Sequence, residues 1–261
     1  MLEYPCELYM RTIAIASAKG GVGKTCSTIN LGFALNSFNK DTTIIDANIS
    51  TPNIAIHLGA YNVPITLNHV LQGKHHITAA TYVHNNGTKI IPSSLSMKNS
   101  NVDLKYLSNH LKDVKSDIVL LDTSAGINYE SSSAISSANE VLIITTADIP
   151  SITDALKTVQ LCKKLNKPIL GVVVTRYDNK SKLSINNIEM ILENKVISVI
   201  PEDDNVKESI HLKQPLIHSH PDSQASIEYK KLAAYLINHP YTVEEKKEST
   251  LTQVARYLFG K

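Results

Sequence analysis

Ser17-Ala18-Lys19-Gly20-Gly21-Val22-Gly23-Lys24-Thr25-Cys26 is the stretch that most restricts how this chain can fold. It follows the apolar, β-branched run Thr12-Ile13-Ala14-Ile15-Ala16 and opens into a helical pattern over residues 28–38. A glycine-rich loop between a buried strand and a helix N-terminus turns successive backbone N–H groups into one concavity. They meet the positive end of the helix there, a setting that holds a polyphosphate. Lys24 is spaced to reach the terminal phosphates, and the Thr25 hydroxyl to ligate Mg²⁺. The pattern departs from G-x-x-x-x-G-K-[ST] at its first position. Ala18 replaces the glycine, and a second lysine, Lys19, follows directly.

Downstream, apolar strands alternate with helical patterns. A helix over residues 25–39 carries Ile29, Leu31, Phe33, Ala34 and Leu35 at core-facing spacings, and a strand over 42–45 ends at Asp46. The spacing predicts helices over 66–71 and 102–114 and a short strand over 89–92. The apolar run after Asp117 reads as a strand that delivers Asp122 to its carboxyl end. Strands over 140–146, 168–175 and 195–200 follow, with a helix over 151–165 begun by Pro150. Residues 206–212, 215–217 and 223–238 read as helix, edge strand and helix. Such alternation predicts a single α/β domain, a mainly parallel twisted sheet with helices on both faces. Asp46 and Asp122 then lie at carboxyl ends of strands beside the phosphate loop, where such sheets place ligands.

K-G-G-x-G-K-T is a deviant Walker A loop, and with it the chain resembles the MinD/ParA family of dimerising P-loop ATPases over roughly residues 10–261. The resemblance implies ATP and Mg²⁺ as cofactors, with nucleotide contacts from Lys19, Gly20, Gly21, Val22, Gly23, Lys24, Thr25 and Cys26. It implies that Lys19 reaches across a homodimer to the partner's nucleotide. The family's switch I carries two aspartates separated by one residue, then an asparagine five further on. Asp46 and Asn53 match the first and last of these, and Asn48 stands where the second aspartate belongs. Lys19, Lys24, Asp46 and Asn48 thereby become the catalytic candidates, and Thr25, Asp46 and Asp122 the metal candidates. An amide accepts no proton, though it can hold a water, so the exchange bears on the hydrolysis rate and not on nucleotide binding. Asp122-Thr123-Ser124-Ala125-Gly126 resembles the D-x-P-A-G of switch II with Ser124 in place of proline; Gly126 keeps its position for sensing the terminal phosphate. Thr175, Arg176, Pro201 and Asp203 match the two loops that flank the adenine in relatives.

The formal net charge of +2 is too small to point to nucleic acid by composition. Cys6, Cys26 and Cys162 are scattered with no C-x-x-C pair, which argues against a disulfide framework or a thiolate metal site and fits a reducing cytoplasm. His75-His76 reads as a pair of solvated loop histidines. Residues 1–9 precede the usual start of relatives at the equivalent of Met10 and read as an extension or alternative start. Residues 241–249 form a charged linker around Glu244-Glu245-Lys246-Lys247-Glu248. In the segment 250–261, Leu251, Val254, Ala255, Leu258 and Phe259 share one face of a helix. This segment resembles the short membrane-targeting helix of the MinD branch; a terminal helix docked on its own domain or on a partner is the alternative. The combined expectation is an ATPase that dimerises with ATP and reversibly binds the anionic cytoplasmic face of the membrane, reset by slow hydrolysis and by an unidentified activator protein. Its role would be division-site placement or the organisation of membrane machinery. A DNA-partitioning ATPase and a non-hydrolysing ATP-binding scaffold remain the rivals, while the missing C-x-x-C removes the usual cluster site of an iron–sulfur carrier.

Overall fold

Side chains of β1 (Arg11–Ala16) alternate between two cores: Ile13 and Ile15 enter one, Ala14 and Ala16 the other, and all are buried. A strand buried on both faces belongs in the middle of a covered parallel sheet. The computed structural model, which describes residues 10–96, 102–178, 181 and 183–242, places β1 there. The other strands are β2 (Thr42–Ala47), β3 (Tyr82–Val83), β4 (Lys89–Ile91), β5 (Ile118–Thr123), β6 (Glu140–Thr146), β7 (Ile169–Tyr177) and β8 (Val196–Pro201). Their order is β3-β4-β2-β5-β1-β6-β7-β8, parallel throughout except for the β3–β4 pair.

Helices α1 (Lys24–Ser37) and α10 (Gln224–Leu236) cover the face that receives Ile13 and Ile15. Helices α4 (Leu107–Leu111), α5 (Tyr129–Ser137), α6 (Ile149–Lys164) and α7 (Ile185–Leu192) contribute to the opposite core. Chain direction across the sheet reverses around β1, because β2 lies on one side and β6 on the other. Ligands bind at such a switch point, outside the carboxyl ends of the strands. Gly32 shows how closely α1 lies on the sheet, since a Cβ there would stand 2.6 Å from Ile44 Cδ1.

Two local readings change. Residues 215–217 are not an edge strand: Pro215 caps the short helix α9 (Leu216–Ser219), with Leu216 and Ile217 buried and the Ile217 N–H donated to Asn30 Oδ1. A three-residue apolar run fits either period, and contact with α1 decides it. The helix expected over 102–114 is a 3₁₀ turn, Leu104–Tyr106, running into α4. Small helices α2 (Ile54–His57), α3 (Leu67–Leu71) and α8 (Asp204–His211) complete the fold. The extension at 1–9, the linker from residue 243 and the amphipathic segment with Leu251, Val254, Ala255, Leu258 and Phe259 lie outside the described residues.

Candidate functional site

Helix α1 begins with neither a side-chain cap nor an acidic residue in its first turn. Its N-cap, Gly23, is left-handed at φ 86°, and Gly21 lies at φ 77°, a region that favours glycine. The first-turn N–H groups of such a helix are available to an anion. A cleft of about 560 Å³ opens over them. Its walls bring together Gly20, Gly21 and Gly23 to Cys26 from the phosphate loop, Asn48 and Asn53 from the loop after β2, Thr175 and Arg176 from β7, and Pro201 to Asp203 from the end of β8 onward. Val22 does not join them; its side chain packs into the α1 core. Thr175 locks the loop from behind, donating its hydroxyl to Val22 O at 2.6 Å.

Asp46 and Asp122 are direct neighbours in the β2–β5 register, and both are fully buried. Asp122 accepts from Thr25 Oγ1 at 2.6 Å and from Thr28 Oγ1 at 3.2 Å. Burial pushes its carboxyl up to about 6, against the pull of the Thr25 hydroxyl and the Lys24 ammonium. Burial likewise lowers the pKa of Lys24, with Asp122 opposing. Asp46 is spent on backbone: it accepts from the N–H groups of Asn48 (3.2 Å), Asn53 (3.0 Å) and Ile54 (3.1 Å). Burial, then the charge of Asp122, raises its carboxyl well above the usual range. Thr25 and Asp122 form an oxygen-only donor set that suits a magnesium ion sharing its shell with phosphate and water. Added positive charge would also relieve the repulsion between the two carboxylates.

Asn48 turns its amide inward on its own loop. Nδ2 donates to Thr51 O at 2.6 Å, and Oδ1 accepts from Thr51 Oγ1 at 3.0 Å and Thr51 N at 3.3 Å. Lys19 leaves the cleft altogether. Its ammonium donates to Asp148 Oδ1 at 3.0 Å and Ser151 Oγ at 2.7 Å, at the start of α6, beside a second recess of about 710 Å³. Burial raises the Asp148 carboxyl, but hydrogen bonds from Thr146, Ser151 and Lys19 outweigh it and hold the group well below the usual range. Gly126 is left-handed at φ 94°, two residues before the Asn128 cap of α5. Arg176, also left-handed at φ 54°, donates its Nε to Glu202 Oε2 at 2.9 Å across the rim. Asp203 lines the cleft, but its carboxylate caps α8 at Asn205 N and accepts the Ala225 N–H of α10.

Residues 13–216 match the model of the CobQ/CobB/MinD/ParA nucleotide binding domain. The chain belongs to this family. An ATP-binding protein of Methanocaldococcus jannaschii is 38% identical over 255 residues, covering 95% of this chain and 97% of the relative. Among solved structures, the cell division ATPase MinD of Pyrococcus furiosus superposes with a TM-score of 0.84 at 29% identity, covering 87% of this chain and 98% of MinD. MinD of Pyrococcus horikoshii, complexed with Mg-ADP, gives a TM-score of 0.83 at 29% identity and covers 87% and 96%.

Several walls of the cleft in this MinD/ParA-family ATPase carry no local signature. His57 of α2, Val206, Lys207 and Ile210 of α8, and Tyr229 of α10 all line it. Tyr229 is buried against the first turn of α1, its hydroxyl 3.1 Å from Ser27 Oγ. Cys26 shares this floor, accepting from Asn30 Nδ2 at 3.4 Å, and burial pushes its thiol up to about 11.

Proposed function

We propose that the chain is an ATP-dependent switch that forms a homodimer around Mg-ATP, binds the cytoplasmic membrane surface reversibly, and is reset by slow ATP hydrolysis. The observation that carries the reading is the division between its two lysines. Lys24 is buried beneath the cleft with Thr25 and Asp122, whereas Lys19 is held outside it on Asp148 and Ser151. A cation held outside its own subunit's cleft can exchange its contacts with Asp148 and Ser151 for phosphate on another copy, a charge-assisted contact. Thr25 and Asp122 would hold Mg²⁺, with Asp46 behind them; when bound, the ion neutralises charge on the phosphates. Gly20 to Thr25 cradle the phosphates, Cys26 and Tyr229 floor the cleft beyond them, and Thr175, Arg176, Pro201 and Asp203 enclose the adenine end. Asn53 and Gly126 would stand at the ends of the two loops that sense the terminal phosphate.

Membrane affinity is assigned to the segment 250–261, through Leu251, Val254, Ala255, Leu258 and Phe259. Each buried apolar side chain contributes roughly 1.5–3 kcal/mol before ordering costs, so one such helix binds weakly. Two on one dimer act together and raise avidity by on the order of 10²-fold. Dimerisation would then control attachment, with an effector protein and the cellular process, division-site placement or organisation of membrane machinery, set by partners. Among the described residues no helix is long and apolar enough to cross a membrane. A second reading, a non-hydrolysing ATP-binding scaffold, is favoured by one observation: the Asn48 amide is bound within its own turn.

Light scattering and liposome sedimentation with Mg-ATP, Mg-ADP and no nucleotide test the proposal. Dimer and lipid binding are expected with Mg-ATP alone, lost from Lys24→Ala. Lys19→Ala is expected to bind nucleotide without dimerising, and a chain cut after residue 250 to dimerise without sedimenting. Dimerisation of Lys19→Ala equal to that of the unaltered chain overturns the trans-lysine role.

A further inference from the structure

Five residues separate Thr123 from the start of helix α5, and that start is knitted to the loop before it. Asn128 caps the helix through Ser131 N at 2.8 Å and accepts from Ser124 Oγ at 3.3 Å, while Ser131 Oγ donates to Gly126 O at 2.8 Å. Glu130 therefore rides on a helix turn that cannot shift independently of Gly126. Its carboxylate reaches the loop after β2: Ser50 donates its backbone N–H to Oε1 at 3.1 Å and its hydroxyl to Oε2. Ser50 is likewise fixed on its own side. It lies between Asn48 and Thr51, whose side chains and backbone close one turn, and ahead of Asn53, whose N–H is held by Asp46. Ser50 and Glu130 also border a recess of about 370 Å³ that is separate from the nucleotide cleft.

We propose that Glu130 is a positioning residue that clips the Asp46–Asn53 loop to the Asp122–Gly126 loop, so that the two segments facing the terminal phosphate move as one. Two hydrogen bonds from one residue to one carboxylate fix both direction and distance, as a single contact would not. The clip acts without touching nucleotide. It holds Ser50 from outside while Asp46 holds Asn53 from inside, and the wall made by Asn48 and Asn53 is stretched between these anchors. Loss of the clip leaves the cleft able to bind but lets that wall drift from Gly126 as the terminal phosphate is engaged. The inference rests on the proposed ATPase reading, and its test separates the two.

Ser50→Ala, Glu130→Ala, Glu130→Gln and the double variant Ser50→Ala with Glu130→Ala, all in the full chain, form the test. Hydrogen exchange without nucleotide reads the clip directly. The Ser50 amide is expected to exchange about three- to tenfold faster in Glu130→Ala, the worth of one modest hydrogen bond. With saturating Mg-ATP, phosphate release from Glu130→Ala is expected to fall by a similar factor, while the Kd for Mg-ADP, measured by calorimetry, stays within about twofold. Glu130→Gln keeps an acceptor oxygen and restores most of the rate. The double variant is no slower than Glu130→Ala, because both remove the same contact. Unchanged Ser50 exchange in Glu130→Ala overturns the clip, as does an unchanged rate of phosphate release. A parent chain that binds no nucleotide overturns the ATPase reading instead, and the nucleotide-free exchange still decides the clip.

Discussion

Asp46 and Asp122 end neighbouring strands in direct register, both fully buried, yet their partners differ in kind. Asp122 faces side-chain hydroxyls, Thr25 and Thr28, and the ammonium of Lys24. Hydroxyls rotate, so a cation can take their place at the carboxylate without moving the chain. Asp46 faces three backbone N–H groups. Those cannot leave without unwinding the loop from Asn48 to Ile54. Two carboxylates that end neighbouring strands therefore differ in surroundings, one facing exchangeable side chains and the other the backbone of the loop after β2. Such a difference makes different variants fail in different ways.

The largest effect is expected on the structural side. Asp46→Ala leaves three buried N–H groups without their acceptor and is expected to lower unfolding free energy by about 3–5 kcal/mol. Urea denaturation in EDTA measures it. A loss of under about 1 kcal/mol would mean that water or a neighbouring group satisfies those amides and that the loop does not depend on Asp46.

Next comes a pH effect on the ligand side. With its carboxyl raised to about 6 in the folded chain, Asp122 holds its proton over a range where the unfolded chain has already released it. Both states are protonated below about pH 4. Between about 4 and 6 only the unfolded state ionises at this position, so Asp122 makes metal-free stability fall across that window, by up to about 3 kcal/mol, and Asp46, raised well above the usual range by burial and then by the charge of Asp122, adds to the fall. Mg-nucleotide favours the charged form and should flatten the fall. Denaturation midpoints across pH, with and without Mg-ADP, check the sign, and Asp122→Asn should reduce the dependence to the share that buried Asp46 contributes. Stability that instead rises from pH 4 to 6 would show that Lys24 dominates the burial cost. The same Asp122→Asn variant should bind Mg-ADP about 10–100-fold more weakly while Mg-free ADP binding is spared, which calorimetry in Mg²⁺ and in EDTA resolves.

Legibility in the sequence follows the range of the interactions. The phosphate loop was readable because its glycines, Lys24 and Thr25 are contiguous, and the strand–loop–helix context lies in the same twenty-odd residues. Asp122 was readable as the end of an apolar run. The partners of Lys19 were not: Asp148 and Ser151 arrive from the far end of β6, and nothing near Lys19 announces them. Tyr229 reaches the cleft floor from α10, 202 residues beyond Ser27, through packing alone. Some misses had a signal. Asn86-Gly87 between Tyr82-Val83 and Lys89–Ile91 is a hairpin cue, and the antiparallel β3–β4 pair is what it produces. Ser184 ahead of Ile185, Ile188 and Leu192 carries the cap and the period of α7.

The smallest effect concerns Asn48. A carboxylate there would match the family's second aspartate, and from the motif alone Asn48→Asp should hydrolyse ATP faster, since general-base assistance is typically worth about 10²–10⁴-fold. The geometry reduces that expectation. The Asn48 amide both donates to Thr51 O and accepts from Thr51 Oγ1, so aspartate would keep the acceptor half and lose the donor half of the turn. Its charge would face the Thr51 carbonyl oxygen at close range, beside the already strained pair Asp46 and Asp122. Relief requires the new carboxylate to swing out of the turn, and only then can it meet a water. Phosphoryl transfer also draws mainly on positioning and electrostatics, which in the proposed reading come from Lys19, Lys24 and the phosphate loop in either variant. The rate is therefore expected to rise by no more than about tenfold, with about 1 kcal/mol of stability lost from the turn. Phosphate release at saturating Mg-ATP, read beside the denaturation midpoint of each protein, measures both. A gain of about 10³-fold would mean that the Asn48–Thr51 turn opens when nucleotide binds, and that the loop anchored by Asp46 is far less fixed than its three amide contacts imply.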